Sequence, residues 1–305
     1  MKKVLITGSN GLLGQKLIYQ LIGYPEYQVF ATSKGENRTL VKKRYEYIPL
    51  DITDEGEVEE TFNYVQPDFV INTAAMTNVD ACEVKKKECW KLNVQAVQYL
   101  TSACEKYDSH LIHVSTDFIF DGESGPYSEE SEAKPLSYYG ESKLAAEQIV
   151  KDSSCKWTIA RTVLVYGVVD NMSRSNIVLW AKGALESGKE LTVVDDQYRT
   201  PTLAEDLAHG CILIAKNEAE GIFNIAGDDY MSIIDLVKRV AKYYQLDKDL
   251  VKPISSESLN QKAPRPAKTH LLLDKAKREL GYKPSSFEEG LGILDVQIYA
   301  RQNEE

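Results

Sequence analysis

The chain is poor in the residues that several classes of function require. Its five cysteines (82, 89, 104, 155 and 211) are odd in number and scattered over 305 residues. They form no Cys-x-x-Cys and no Cys/His cluster with metal-ligand spacing. A metal site or a disulfide framework is therefore not expected. No apolar run approaches the roughly 20 residues that cross a bilayer, so no membrane partner is expected. Cations are outnumbered: 36 Lys and Arg against 46 Asp and Glu give a formal charge of −10. That balance argues against broad nucleic-acid binding and leaves room for an anionic ligand held by a few local cations. The composition, 43% hydrophobic and 27% charged, excludes disorder, collagen and coiled coil. Met1-Lys2-Lys3 leads straight into a first apolar run, too short for a signal peptide. A reducing cytoplasm is the expected location.

What the chain does have is alternation. Lys3–Thr7, Gln28–Ala31, Tyr45–Pro49, Asp68–Thr73, His110–Ser115 and Lys156–Arg161 read as strands. Between them, Leu12–Ile22, Glu55–Val65, Cys89–Lys106 and Tyr138–Val150 read as helices. Strands alternating with helices imply βαβ units around a parallel sheet. After Gly167 the rhythm changes. Residues 170–190 read as a helix with irregular flanks, Gly221–Ala226 as a strand, Pro253–Thr269 as loop, and the tail after Leu271 as polar helix. The expected fold is a doubly wound, Rossmann-type α/β domain over residues 1–167, rejoined by the chain around 200–226. A smaller substrate-binding lobe is expected from 168–199 and 227–305.

Gly8-Ser9-Asn10-Gly11-Leu12-Leu13-Gly14 sits between the first strand and the first helix. The first glycine permits a tight turn, the second the approach of a pyrophosphate, the third close helix–strand packing. The helix N-terminus adds N–H donors and partial positive charge. The spacing is G-x-x-G-x-x-G rather than G-x-G-x-x-G. At the end of the second strand, Ala31-Thr32-Ser33-Lys34 offers no acid for a ribose 2′-hydroxyl, and Glu36 lies beyond it. Ser33 and Lys34, with Arg38 as a second candidate, suit a 2′-phosphate and so favour NADPH over NADH. Asp51 and Ile52 are placed to meet adenine, and Asp51 equally suits a helix N-cap.

Tyr139 and Lys143 stand four apart, a spacing that puts both on one helix face. A tyrosine near pKa 10 is a poor acid at neutral pH, and a nearby ammonium lowers that value. Tyr139 then gives a proton to a carbonyl oxygen as hydride arrives, and Lys143 also holds the nicotinamide ribose. Ser115-Thr116-Asp117 closes the preceding strand, where ligands bind in such sheets. Thr116 is placed to bond the reacting oxygen. His110 and His113 fall within that strand, and one of them reads as packed rather than catalytic. Lys85–Lys87 and the acidic run 54–60 read as solvated surface. Trp157 and Trp180 read as packing.

These residues resemble the extended short-chain dehydrogenase/reductase superfamily, and within it the dTDP-4-dehydrorhamnose reductase family. The matching segments are TGSNGLLGQ (7–15), INTAAMTNVDACE (71–83), KLNV (91–94), STDFIFDG (115–122), PYSEESEAKPLSYYGESK (126–143), VVDDQYRTPTLAEDLA (193–208) and RP…LD…LGYKP (265–284), in the family's order. The resemblance implies reduction of a nucleotide-sugar 4-keto group by NADPH or NADH, with Thr116, Tyr139 and Lys143 catalytic. It implies that Gly8, Ser9, Asn10, Gly11, Leu12 and Leu13 hold the pyrophosphate. Ala74, Ala75, Met76 and Ser115 would line the ribose and nicotinamide, supported by Asn93. Substrate would meet Asp117, Phe118, Tyr139, Leu164 and Arg199. Arg199 suits a diphosphate through its guanidinium fork, or else a salt bridge between lobe and domain, and Gln197 faces the same lobe. Phe118 stands where the family often has Tyr, and Leu164 where its rhamnose enzymes commonly have Trp. A homodimer is expected; some members dimerise through Mg²⁺ held by Glu, and no such ligands map here.

Related proteins offer other readings. Nucleotide-sugar dehydratases place an Asp-Glu pair after the Thr, whereas Phe118 follows Asp117. Epimerases prefer an acid after the second strand. The regulatory subunit of methionine adenosyltransferase resembles these reductases and acts by binding a partner.

Overall fold

The structure, a computed structural model, describes residues 1–171, 175–259 and 261–302. Parts of the expected 170–190 helix, the 253–269 loop and the tail that fall on 172–174, 260 and 303–305 lie outside them. Strand β1 (Lys2–Thr7) turns into α1 (Leu12–Leu21), followed by β2 (Tyr27–Ser33), β3 (Tyr45–Pro49), α2 (Glu55–Val65) and β4 (Phe69–Asn72). Next come α3 (Val79–Val84), α4 (Lys86–Trp90) and α5 (Ala96–Tyr107), the last two joined by a π turn over Lys91–Gln95. The single helix expected over Cys89–Lys106 is thus interrupted. β5 (His110–Thr116), α6 (Tyr138–Lys151) and β6 (Trp157–Thr162) complete the first run.

Beyond it lie β7 (Val165–Tyr166), α7 (Ile177–Glu186), β8 (Leu191–Val194), β9 (Tyr198–Arg199), β10 (Thr202–Leu203) and α8 (Ala204–Asn217). The chain ends with β11 (Gly221–Asn224), β12 (Met231–Ser232), α9 (Ile233–Tyr243), β13 (Val251–Ile254), α10 (Asp274–Leu280) and α11 (Phe287–Gln302). α7 starts where the Asn176 side-chain Oδ1 accepts from Val178 N and Leu179 N, inside the stretch read as a helix with irregular flanks.

Seven parallel strands form one sheet in the order β3-β2-β1-β4-β5-β6-β11. The order reverses between β1 and β4, which opens a crevice at the C-terminal strand ends. The register sets Thr7 beside Asn72 and Asn72 beside His113. One face buries Val4, Ile6 and Ile71 against Leu17 of α1 and Leu207 of α8. The other buries Leu5, Val70 and Leu111 against Phe62, Leu100 and Val150. Alternation along each strand produces both sets.

A separate core gathers Val178, Leu185, Val193, Leu236, Val240 and Leu294 beside the paired β8 and β13. Three departures from expectation follow from packing. The chain re-enters the sheet at β11, and α10 then packs Ala276 and Leu280 into the sheet's core beside α8 and β11. Residues 227–305 therefore do not all lie in the second body. The tail is not wholly polar, since Phe287, Leu291 and Leu294 are buried. Trp180 is 43% exposed rather than packed inside.

Helix α6 is pinned to the sheet by a buried ion pair. Arg161 Nε and Nη2 donate to the Glu147 carboxylate at 2.9 and 2.7 Å, and Nη1 donates to Glu129 O at 3.0 Å. Burial alone would raise the Glu147 carboxyl, but Arg161 outweighs it and holds it below its usual range. A carboxyl held low stabilises the fold above its unfolded pKa, and that contribution is lost as pH falls through the lower folded value. Arg161→Met would leave the buried Glu147 carboxylate with only Lys151, 3.4 Å away, as an ion-pair partner. It is expected to lower unfolding free energy by about 3–5 kcal/mol. Urea unfolding at neutral pH measures this, and the gap between the two proteins should narrow in acid, below the ordinary carboxyl range.

Candidate active site

The crevice begins at the glycine turn. Gly8 has φ +69°, and a Cβ there would lie 2.7 Å from Ala74 N, so only glycine fits. Gly11 N donates to Gly8 O at 2.9 Å. Gly11 is the N-cap of α1 and supplies no side-chain acceptor, so the first-turn N–H groups at Leu12 and Leu13 have no cap to bond. Ser9 is buried, and its hydroxyl has no hydrogen-bond partner among the described residues. Asn10 staples the next loop, donating to Glu36 O at 2.8 Å and accepting from Arg38 N at 2.9 Å. An uncapped helix start, an orphaned hydroxyl and a turn bounded by Gly8 and Gly11 fit a dinucleotide pyrophosphate.

Ser33 closes β2, and Lys34 beyond it is well exposed, its ammonium 2.6 Å from Asp51 Oδ2. Asp51 also accepts from Thr53 N and Oγ1 at 3.0 and 2.8 Å. Burial works against its charge, but the bonds from Lys34 and Thr53 hold it at about 2. Asp51 is therefore an ion-pair partner of Lys34 rather than a helix N-cap, which Asp54 supplies for α2. Ile52 is buried beside it.

Ala74, Ala75 and Met76 follow β4. The Asn93 carbonyl oxygen accepts from Met76 N at 2.8 Å, and its amide donates to Met76 O at 3.1 Å and Ser142 Oγ at 3.0 Å. Asn93 lies on the π turn, a helix irregularity frequent at functional sites. Its amide is spent inside the protein, so it positions the Ala74–Met76 segment rather than meeting a cofactor.

Tyr139 and Lys143 project from the first turns of α6, where the Ser137 hydroxyl accepts from Gly140 N. A Cβ on Gly140 would collide with Phe118 O. This absence of a side chain lets the helix lie directly on the end of β5. Tyr139 is buried, its ring edge-on to Phe118 with centroids 5.7 Å apart. Burial pushes its hydroxyl well above the usual tyrosine range, and the influence of Thr116 only partly opposes this. The expected lowering by Lys143 is absent, and the hydroxyl is held protonated. Ser115 lies near Glu147 and helps hold that carboxyl low.

The Lys143 ammonium is buried, 2.7 Å from Val114 O and 3.0 Å from His113 Nε2. Burial pulls it down to about 8, against the pull of Glu147 and Cys89. Of the two strand histidines, His113 is the one bonded to the central lysine. His110 is packed away, bonded to Thr158 at 2.8 Å.

Arg199 does not offer its guanidinium to a diphosphate. It donates to Tyr198 O, Ala267 O and Pro266 O at 2.7, 3.1 and 2.6 Å, and Nε is 3.7 Å from Asp117 Oδ2. The salt-bridge alternative matches this geometry. Asp117 is buried, bonded by Thr269 and Thr116, with its carboxyl raised chiefly by burial. Both residues join β5 to the 265–269 segment and are consumed there. Gln197 is buried on the same stretch and accepts from Ile233 N through its backbone oxygen. Leu164 sits at φ +39° after β6, in contact with both cores.

A parallel sheet in this order, a glycine turn at its reversal and a helix-borne Tyr/Lys pair at the strand ends define an NAD(P)-dependent oxidoreductase of the extended short-chain dehydrogenase/reductase type. The family described as RmlD substrate binding domain matches residues 1–297, and the chain belongs to it. It is 32% identical to a dTDP-4-dehydrorhamnose reductase of Aggregatibacter actinomycetemcomitans over 98% of this chain and 100% of that one. It is 31% identical to the spore coat polysaccharide biosynthesis protein SpsK of Bacillus subtilis, covering 95% and 96% of the two chains. The crystal structure of a Bacillus anthracis dTDP-4-dehydrorhamnose reductase in complex with NADP superposes with a TM-score of 0.83 at 27% identity, covering 97% of this chain and 100% of that one.

Gly140→Ala should force α6 away from β5. The expected cost is about 1–3 kcal/mol of stability, the usual scale of overpacking, read as a lower urea midpoint. An unchanged midpoint would mean the close approach is not a constraint.

Proposed function

We propose that the protein reduces the 4-keto group of a nucleotide-linked sugar, dTDP-4-dehydro-L-rhamnose, with NADPH as the preferred reductant. The observation that carries this reading is the placement of Tyr139 and Lys143 one turn apart on α6, both buried, with Tyr139 edge-on to Phe118 at the end of β5. NADPH, when bound, supplies hydride from its nicotinamide C4. The N–H groups at Leu12 and Leu13 and the Ser9 hydroxyl receive the pyrophosphate, and Ser33 and Lys34 receive the 2′-phosphate. Ala74–Met76 line the nicotinamide ribose.

Tyr139 gives its proton to the ketone oxygen, and Thr116 orients that oxygen. The negative charge left on Tyr139 is offset by the ammonium form of Lys143, buried one turn along the same helix. Phe118 and Leu164 present apolar contacts to the sugar. The body built around β8, α7 and α9 serves as the substrate lobe, joined to the sheet through Asp117 and Arg199. A role as a binding subunit alone would leave the Thr116, Tyr139 and Lys143 set without a use.

The test is NADPH oxidation with dTDP-4-dehydro-L-rhamnose, with NADH as comparison. Tyr139→Phe should lower turnover by about 10² or more, the scale of lost general-acid catalysis, with NADPH binding unchanged. Undiminished turnover would remove Tyr139 from the chemistry. Lys34→Ala should weaken NADPH more than NADH in a binding titration, and equal losses would contradict the 2′-phosphate assignment.

A further inference from the structure

Thr7, Asn72 and His113 form a buried polar row across three adjacent strands, on the face that also buries Leu5, Val70 and Leu111. The row has a direction. Ala74 N–H can only donate, and it points at Asn72 Oδ1 from 3.3 Å; the Thr7 hydroxyl donates to the same oxygen at 2.6 Å. The other end of the Asn72 side chain is its amide nitrogen, also a donor only, 3.1 Å from His113 Nδ1. Nδ1 therefore accepts, and the neutral imidazole carries its proton on Nε2. That nitrogen lies 3.0 Å from Lys143 Nζ. An ammonium has no lone pair to receive the proton. A free amine has one, and it keeps an N–H for Val114 O.

We propose that His113 is a positioning residue that sets the charge on Lys143: locked by Asn72 as the Nε2–H tautomer, its ring donates to the lysine nitrogen and favours the free amine. The inference rests on the role given to Lys143 above, in which the charge on the lysine offsets the phenolate left on Tyr139. The other groups facing Lys143 are Tyr139 and Glu147 on its own helix and Cys89 on α4, with Glu147 paired to Arg161 of β6. Burial, reinforced by Lys143, keeps His113 well below its usual range and therefore uncharged.

NMR of the whole protein, isotope-labelled at the histidine ring nitrogens and the lysine Cε, tests this without a substrate. His113→Gln identifies the His113 signals among only four histidines, and Lys143→Met identifies those of Lys143. His113 should stay a neutral Nε2–H tautomer between about pH 5 and 9. Lys143 should titrate at about 8. In His113→Leu that titration should rise by about one pH unit, the scale of one lost hydrogen bond. His113→Gln keeps an N–H toward the lysine and should leave the titration near its original place. An Nδ1–H tautomer, a ring that charges within this range, or a Lys143 titration unmoved in His113→Leu would overturn the proposal. If His113→Leu does not fold, the tautomer in the unsubstituted protein decides alone. Failure to turn over dTDP-4-dehydro-L-rhamnose would count against the function and leave both readouts intact.

Discussion

The site depends on α6 lying directly against the end of β5. Gly140 makes this contact at Phe118 O, and the Glu147–Arg161 pair fixes the far end of the same helix to β6. These two contacts carry Tyr139 and Lys143 against the end of the sheet, where both are buried. A helix set farther out would leave a solvated tyrosine and lysine with ordinary titration. Burial is thus both the architectural constraint and the largest influence on the chemistry of the pair.

That influence runs in opposite directions on the two groups, because burial always disfavours the charged form. It raises the tyrosine, which is neutral when protonated, and lowers the lysine, which is charged when protonated. A proton donor that stays protonated and a lysine poised near neutrality suit reduction of a ketone. The Asp117–Arg199 pair plays a different part. It spends a carboxylate and a guanidinium on joining the second body to β5, so the side chain packed edge-on against Tyr139 is the apolar Phe118.

Much of this was legible in the sequence. Short apolar runs alternating with helical stretches predicted the sheet strands to within a residue or two, and Gly8 and the Tyr139/Lys143 spacing marked the glycine turn and the helix-borne pair. What was hidden depended on register and burial. His113 reads as one more strand residue until β4 and β5 are aligned, when Asn72 and Lys143 fall on either side of it. Arg199 looked free to bind phosphate because nothing local shows that three backbone carbonyls from 198, 266 and 267 converge on it. The interruption at Lys91–Gln95 was invisible for a similar reason: Asn93 is placed by contacts to Met76 and Ser142, not by helix propensity.

The central claim is that burial holds Tyr139 as a protonated acid. Spectroscopic titration of the phenolate, taken as the difference between the unsubstituted protein and Tyr139→Phe, tests it most directly. The account predicts no phenolate from Tyr139 at any pH below about 10, the ordinary tyrosine value. A Tyr139-dependent phenolate signal near neutral pH would contradict it and would return the lysine to the dominant role.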